Sequence, residues 1–321
     1  MDLIVHYDQD SVEKYAENTL AAFQGAIDSG VDVLETDLHI TLDGIIVINH
    51  DTTTGRVHDK DLVVSQTNLS DLKKLTNKQD SSQEFLTFKE LTQWFTKQRN
   101  DIKIMLDIKP FNSKSIFAKI LKDLLDIKDD LQFWNSRIIF GLWRLDFYEF
   151  GYTTGLLENF QIINIAISSE ISKQFISYSQ SVPKNYKLSA ISILDVSSWS
   201  SDFKKFKKTV LDANNISLYL WTVNHPDDIK KAIQLGVGGI VTDDPVQVIA
   251  EIKTAISRGP NAIIYKEPSL LTFEGLKSNV IFYLFKLFEL IVLNEVHTYK
   301  IVQLVLGYTV KYVINHSKRE K

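Results

Sequence analysis

In VDVLETDLHITLDGIIVINHD, residues 31–51, two acids stand two apart at the end of an apolar, strand-like run: Glu35 and Asp37. Alternate side chains on a strand point the same way, so both carboxylates can converge on one ion. Thirteen residues after Asp37, a second apolar run, IIVINHD at 45–51, ends on His50. An acid pair and an imidazole, each at the C-terminal end of a strand, point to metal-assisted acid–base chemistry.

Outward from this segment, short apolar runs alternate with amphipathic stretches from residue 2 to about 256. The strand candidates are 3–5, 31–38, 45–50, 102–109, 137–143, 160–167, 187–193, 216–223 and 238–243. Most are apolar throughout, as expected of parallel strands covered on both faces. Helices are expected between them. ENTLAAFQGAIDSG closes on Gly30, and DDIKKAIQLGVGG has Gly236 ending its helix. Such alternation fits an α/β fold, either a (β/α)8 barrel of the TIM type or a doubly wound sheet. No G-x-G-x-x-G follows the first strand, which weakens the dinucleotide-binding version. In a barrel, His6, Glu35, Asp37, His50, Asp107, Lys109, Trp143, Trp221 and Asp243 would all gather at one mouth. The barrel is therefore the expected fold, spanning 1–256 as one catalytic domain.

Bulk composition narrows the chemistry. The chain has 321 residues, 44% hydrophobic, and can bury a full core. It holds no cysteine, so thiolate metal sites and disulfides are excluded, and an oxygen-ligated Mg²⁺ or Ca²⁺ is the natural cation. A net charge of −4 argues against nucleic acid as a partner. The start, MDLIVHYDQD, lacks the basic and apolar regions of a secretory signal. Charge is uneven: residues 277–321 hold seven Lys or Arg against three Glu. That stretch follows a Pro- and Gly-bearing linker, 257–276, and contains the apolar runs VIFYLFKLFELIVL and YKIVQLVLGYTVKYVI. Neither is long enough for a spanning helix. The expectation is an amphipathic, membrane-associating tail over 277–321, helped by the basic end SKREK. A pair of helices packed on the barrel or in a dimer is the alternative.

Asp107, in MLDIKP, is a third strand-end acid, and Lys109 points to the same side of that strand. Lys109 fits either a phosphate contact or an internal salt bridge to the acid. Trp221, in YLWTVN, fits a pocket wall or plain packing, and Asp244 before Pro245 fits a helix cap. His39, His58, His225, His297 and His316 lack convergent acids and are expected at the surface.

The motifs ENTLAAF (17–23), LETDLHITLDGIIVINHD (34–51), LDIK (106–109), LWTVN (220–224) and VTDDP (241–245) resemble the glycerophosphodiester phosphodiesterase family. The resemblance covers residues 1 to about 256. It implies a (β/α)8 barrel that cleaves glycerophosphodiesters with a divalent cation. By position it assigns Glu35, Asp37 and Asp107 as metal ligands, and His6 and His50 as the catalytic pair. Lys109, Tyr7 and Trp221 would bind substrate. GLWRLDFYEFG (141–151), LDVSSWSSDF (194–203) and the apolar tail look closer to the yeast phosphatidylglycerol phospholipase C branch. That branch converts phosphatidylglycerol to diacylglycerol and glycerol phosphate in phospholipid catabolism. It implies an intracellular, membrane-associated protein at a mitochondrial, lipid-droplet or endoplasmic-reticulum surface, with phospholipid as its partner. The first strand departs from the family. Where members carry Gly-His-Arg, this chain has Val5-His6-Tyr7, and Ala16 replaces the Pro before E-N-T. Two other readings follow: a catalytically impaired lipid-binding homologue lacking the arginine, or a soluble glycerophosphodiester phosphodiesterase.

Overall fold

The computed structural model describes the backbone of residues 4–7, residues 15–199 and 203–258, and positions 272, 276, 280–284 and 287 beyond them. The side chains of His6 and Tyr7, most of the expected linker and most of the expected tail lie outside the described residues.

Every strand candidate named above contains a strand: β1 (Ile4–Tyr7), β2 (Val33–Ile40), β3 (Ile46–Ile48), β4 (Lys103–Ile108), β5 (Ile138–Leu142), β6 (Gln161–Ala166), β7 (Leu188–Leu194), β8 (Ser217–Trp221) and β9 (Gly239–Thr242). Eight of them pair in parallel, in the order β1-β9-β8-β7-β6-β5-β4-β2. β1 also pairs with β2, His6 opposite Val33 and Tyr7 opposite Leu34, so the ladder returns on itself as a barrel. β3 is the exception, lying antiparallel on β2. The intervening TLDG is too short for a crossover helix, and Gly44 takes the positive φ (81°) that the turn needs.

Helices between the strands start and stop where the capping residues dictate. Thr19 Oγ1 accepts from the Ala22 amide (3.2 Å) to open the helix Leu20–Ser29, and Gly30 ends it at φ 94°. The helix Pro226–Leu235 ends on Gly236 at φ 68°. Asp244 accepts from the Gln247 amide (3.0 Å) and caps the helix Pro245–Arg258, as expected.

The strands are apolar on both faces because both faces are covered. Leu34, Leu38, Ile104, Leu106, Ile108, Phe140 and Leu142 point outward into the core shared with the helices. Val33, Met105, Ile139, Ile163, Ala190 and Tyr219 form a separate plug inside the barrel. The interior is tight at β5: a Cβ on Gly141 would meet Ile165 Cδ1 at 2.6 Å and the Leu106 carbonyl at 3.2 Å. Above the plug, at the C-terminal ends of the strands, the inward positions turn polar. A third small cluster (Val47, Val64, Leu72, Leu75 and Phe85) lies under the long connection between β3 and β4.

Candidate active site

Glu35 and Asp37 stand two apart on β2 and Asp107 faces them from β4, where Asp37 pairs in register with Asp107. All three carboxylates are buried (6%, 3% and 5% exposed). One oxygen from each can lie within 4.8 Å of the other two. The Lys109 ammonium bridges two of them, 2.6 Å from Asp37 Oδ1 and 2.8 Å from Asp107 Oδ2. The salt-bridge reading of Lys109 is thus realised, and with two acids rather than one. The second Asp107 oxygen accepts from the Trp143 indole N–H at 2.7 Å.

These contacts set the protonation states. Burial alone would raise the Asp37 acid, but Lys109 and His50 more than offset it and hold it below the ordinary carboxylate range. Asp107 is pushed the other way, by burial and by the charge of Asp37. Burial opposes the charge on Lys109, yet Asp107, Asp37 and Glu35 together raise it well above its ordinary value. Three acids facing one ammonium leave an excess of negative charge in a small volume. A hard divalent cation fits that donor set, because carboxylate oxygens are its preferred ligands.

His50 leaves β3 and enters the same cavity, of about 280 Å³, which the three acids, Lys109, Trp143 and Trp221 also line. Its backbone is anchored from below. Asn49 Nδ2 donates to the carbonyls of Asp51 (2.6 Å) and Thr53 (3.2 Å), and the His39 Nε2 lies 3.3 Å from the His50 carbonyl oxygen. Its ring is fixed through Nδ1, 3.0 Å from Asp51 Oδ1. Arg56 donates to the other Asp51 oxygen at 2.7 Å and grips Glu17 with both terminal nitrogens. Burial would raise Asp51, but the bonds from His50 and Arg56 hold it well below the carboxylate range. An ionised Asp51 selects the tautomer with the proton on Nδ1, which makes Nε2 the basic nitrogen.

Trp221, at the end of β8, donates its indole N–H to the Ser192 carbonyl (3.1 Å) and packs edge-on against Trp143 with centroids 5.6 Å apart. The two tryptophans form one aromatic wall of the cavity. Asp243 accepts from Asn224 Nδ2 at 2.6 Å. β1 brings the His6 and Tyr7 backbone beside β2 and β9, while their side chains lie outside the described residues.

Sequence reasoning missed several contacts at this site: Asp51 and Arg56 as a brace on His50, Trp143 as a donor to Asp107, and the burial of His39. The last corrects an expectation, as does His58. Both are buried rather than at the surface, His39 against the His50 carbonyl and His58 against the Phe85 ring (centroids 5.0 Å). His225 is exposed, as expected, and accepts from the Asp227 amide. His297 and His316 lie outside the described residues. Burial lowers both imidazoles, His39 to about 4. The unfolded chain takes up a proton on each below about pH 6.5, and the folded chain resists it. Their contribution to stability is therefore present above that value and is lost as the pH falls, for His39 down to about 4. We expect the melting temperature to drop on acidification from about pH 7 to about pH 5. His39→Gln combined with His58→Gln should flatten the profile; an unchanged slope would refute the assignment.

Acids for a cation, a lysine among them and a braced imidazole gather at the mouth of a parallel barrel, an arrangement suited to hydrolysing a charged ester. The family is more particular. Residues 11–247 match the model of the glycerophosphoryl diester phosphodiesterase family, and the chain belongs to that family. It is 26% identical over 268 residues to a lysophospholipase D of Homo sapiens, covering 72% of this chain and 80% of the relative. It is 25% identical over 263 residues to a glycerophosphodiester phosphodiesterase of Caldanaerobacter subterraneus, covering 77% and 96%. The fold is also that of a solved Oleispira antarctica phosphodiesterase in complex with sn-glycerol-3-phosphate (TM-score 0.64, 17% identity, 78% of this chain and 96% of that one). The glycerophosphodiester phosphodiesterase of Thermotoga maritima shares it as well (TM-score 0.59, 22% identity, 77% and 97%).

Proposed function

We propose that this family member is a metal-dependent phosphodiesterase of the phospholipase C type, hydrolysing phosphatidylglycerol to diacylglycerol and glycerol phosphate at a lipid surface. One observation carries the chemistry: Glu35, Asp37 and Asp107 converge in the cavity that His50 enters. Those carboxylates would hold the divalent cation, Mg²⁺ or Ca²⁺, which when bound offsets phosphate charge and polarises the ester. The remaining work falls to the chain. Lys109 supplies a fixed positive charge among the acids, within reach of a phosphate oxygen. His50 Nε2 accepts the proton of the attacking hydroxyl or water, and the Asp51–Arg56–Glu17 chain stabilises the imidazolium that results. A second group must protonate the leaving oxygen, and the sequence offers His6 on β1 for that role. Tyr7 in place of arginine removes a guanidinium from the phosphate, and Arg56 does not replace it, being engaged with Asp51 and Glu17. Trp143 and Trp221 provide an apolar wall suited to the glycerol backbone.

The membrane part of the proposal rests on the sequence of residues 277–321. Val280, Tyr283 and Leu287, among the described positions there, are each at least half exposed, which favours burial in lipid. No helix among the described residues is long and apolar enough to cross a membrane.

Similarity to the human lysophospholipase D favours a second reading, lysophospholipase D action, in which water attacks phosphorus and the headgroup alcohol leaves. Products separate the two. Purified protein with phosphatidylglycerol and Mg²⁺ or Ca²⁺ should release diacylglycerol. Phosphatidate or lysophosphatidate with free headgroup alcohol would establish the second reading instead. Absence of both products, with wild type and Tyr7→Arg alike, would leave the lipid-binding homologue or the soluble glycerophosphodiester phosphodiesterase, which turnover of a soluble glycerophosphodiester separates.

A further inference from the structure

Asp107 is held at both of its oxygens. Oδ2 accepts from Lys109 at 2.8 Å, and Oδ1 accepts from the Trp143 indole N–H at 2.7 Å. Among the described residues, Trp143 is the one donor to Oδ1. We infer that Trp143 is a positioning residue for the cation site: its indole N–H fixes the Asp107 carboxylate, and the affinity for a divalent ion depends on that bond. The inference rests on the reading above, in which Glu35, Asp37 and Asp107 hold the ion.

Strand register explains why the donor comes from position 143. Asp107 pairs with Gly141 on β5. Position 141 has no room for a side chain, since a Cβ there would meet Ile165 Cδ1 at 2.6 Å and the Leu106 carbonyl at 3.2 Å. Two residues on, Trp143 is the next position on the same side of the chain, and it lines the cavity with Asp107. The ring is itself supported. Trp221 packs edge-on against it with centroids 5.6 Å apart, and the Trp221 indole is tied to the Ser192 carbonyl at 3.1 Å. The Lys109 ammonium lies 6.0 Å from the Trp143 ring centroid, so Trp143 borders the lysine as well as the acid.

The last torsion of an aspartate is broad and roughly two-fold, so a contact at one oxygen leaves the carboxylate able to turn. A second contact, at the opposite oxygen, removes that freedom. The bond is charge-assisted, about twice as strong as one between neutral groups. Asp107 is 5% exposed, so water competes little for Oδ1. The ligand is thereby ordered before any ion arrives, and binding is spared the cost of immobilising it. Outer partners of metal ligands act in this way. The two tryptophans of the wall therefore do different work. The Trp143 N–H reaches an acid, whereas the Trp221 N–H goes to a backbone carbonyl.

The test is cation binding by the full chain, followed by calorimetry with Mg²⁺ and with Ca²⁺ and with no substrate present. Wild type is expected to bind at least one of them. Trp143→Phe keeps an aromatic ring on the wall but lacks the N–H, and should weaken binding on the order of tenfold to a hundredfold. Trp221→Phe removes an N–H that reaches no acid and should bind close to wild type. Melting in chelator shows whether each variant folds. Should Trp143→Phe fail to fold, a benzothiophene ring in place of the Trp143 indole, with sulfur replacing the N–H, keeps the ring size and is expected to lose the same affinity. Position 143 without its N–H binding like wild type, or Trp221→Phe losing as much as Trp143→Phe, would overturn the inference and leave the acids as the cation site. Wild type binding neither ion would instead remove the cation reading itself, and the inference with it.

Discussion

Lys109→Met is expected to destabilise the metal-free protein by about 3–5 kcal/mol, the cost of stripping one partner from a buried ion pair. The ammonium lies 2.6 and 2.8 Å from two buried carboxylates, and nothing else among the described contacts supplies a positive charge so close to both. Without it, Asp37 and Asp107 face each other in register with Glu35 beside them. Their remedy is to take up protons. The folded-state acids then lie above their unfolded values, so stability is retained at low pH and lost as the pH rises. The defect should accordingly be largest above neutrality and shrink towards pH 4 to 5. A divalent cation at about a hundred times its Kd should restore on the order of 3 kcal/mol, because it binds only the folded arrangement. Urea unfolding in chelator and in Mg²⁺ or Ca²⁺ measures both. A variant as stable as wild type in chelator would remove Lys109 from its place in the charge balance.

The second large effect concerns rate rather than stability. His50→Ala should lower kcat on the order of 10²–10⁴-fold, the usual worth of a positioned general base, with divalent-cation affinity close to wild type. The separation is expected because His50 arrives on its own hairpin strand while the three acids belong to β2 and β4. Product formation at the wild-type rate would dismiss His50 as the base. Loss of cation affinity along with rate would instead make it part of the metal site.

The fold was written plainly in the chain because parallel strands covered on both faces must be apolar throughout, and such runs stand out from amphipathic neighbours. Glu35, Asp37 and Asp107 were legible for the same reason: acids inside apolar runs have few structural excuses. The brace on His50 was not. Arg56 reaches Glu17 across 39 positions of sequence, and no local pattern announces a pairing made by a barrel closing. Trp143 was visible only as a residue at a strand end; its bond to Asp107 needs the register of β4 with β5. His39 and His58 were misplaced because a histidine without convergent acids looks like a surface residue, whereas a backbone carbonyl and an aromatic ring pack against them.

The small cluster under the β3–β4 connection bears on how such an enzyme can change. Val47, Val64, Leu72, Leu75 and Phe85 pack on one another, apart from the main core, and the strand that leads to His50 contributes to that packing. The cation half of the site is therefore tied to the barrel, whereas the base travels with an excursion from it, tethered back by Arg56 and Glu17. Replacing the excursion wholesale would exchange one proton acceptor for another without touching the carboxylates. A lineage could in this way keep its grip on the phosphate and try out new leaving groups, one loop at a time.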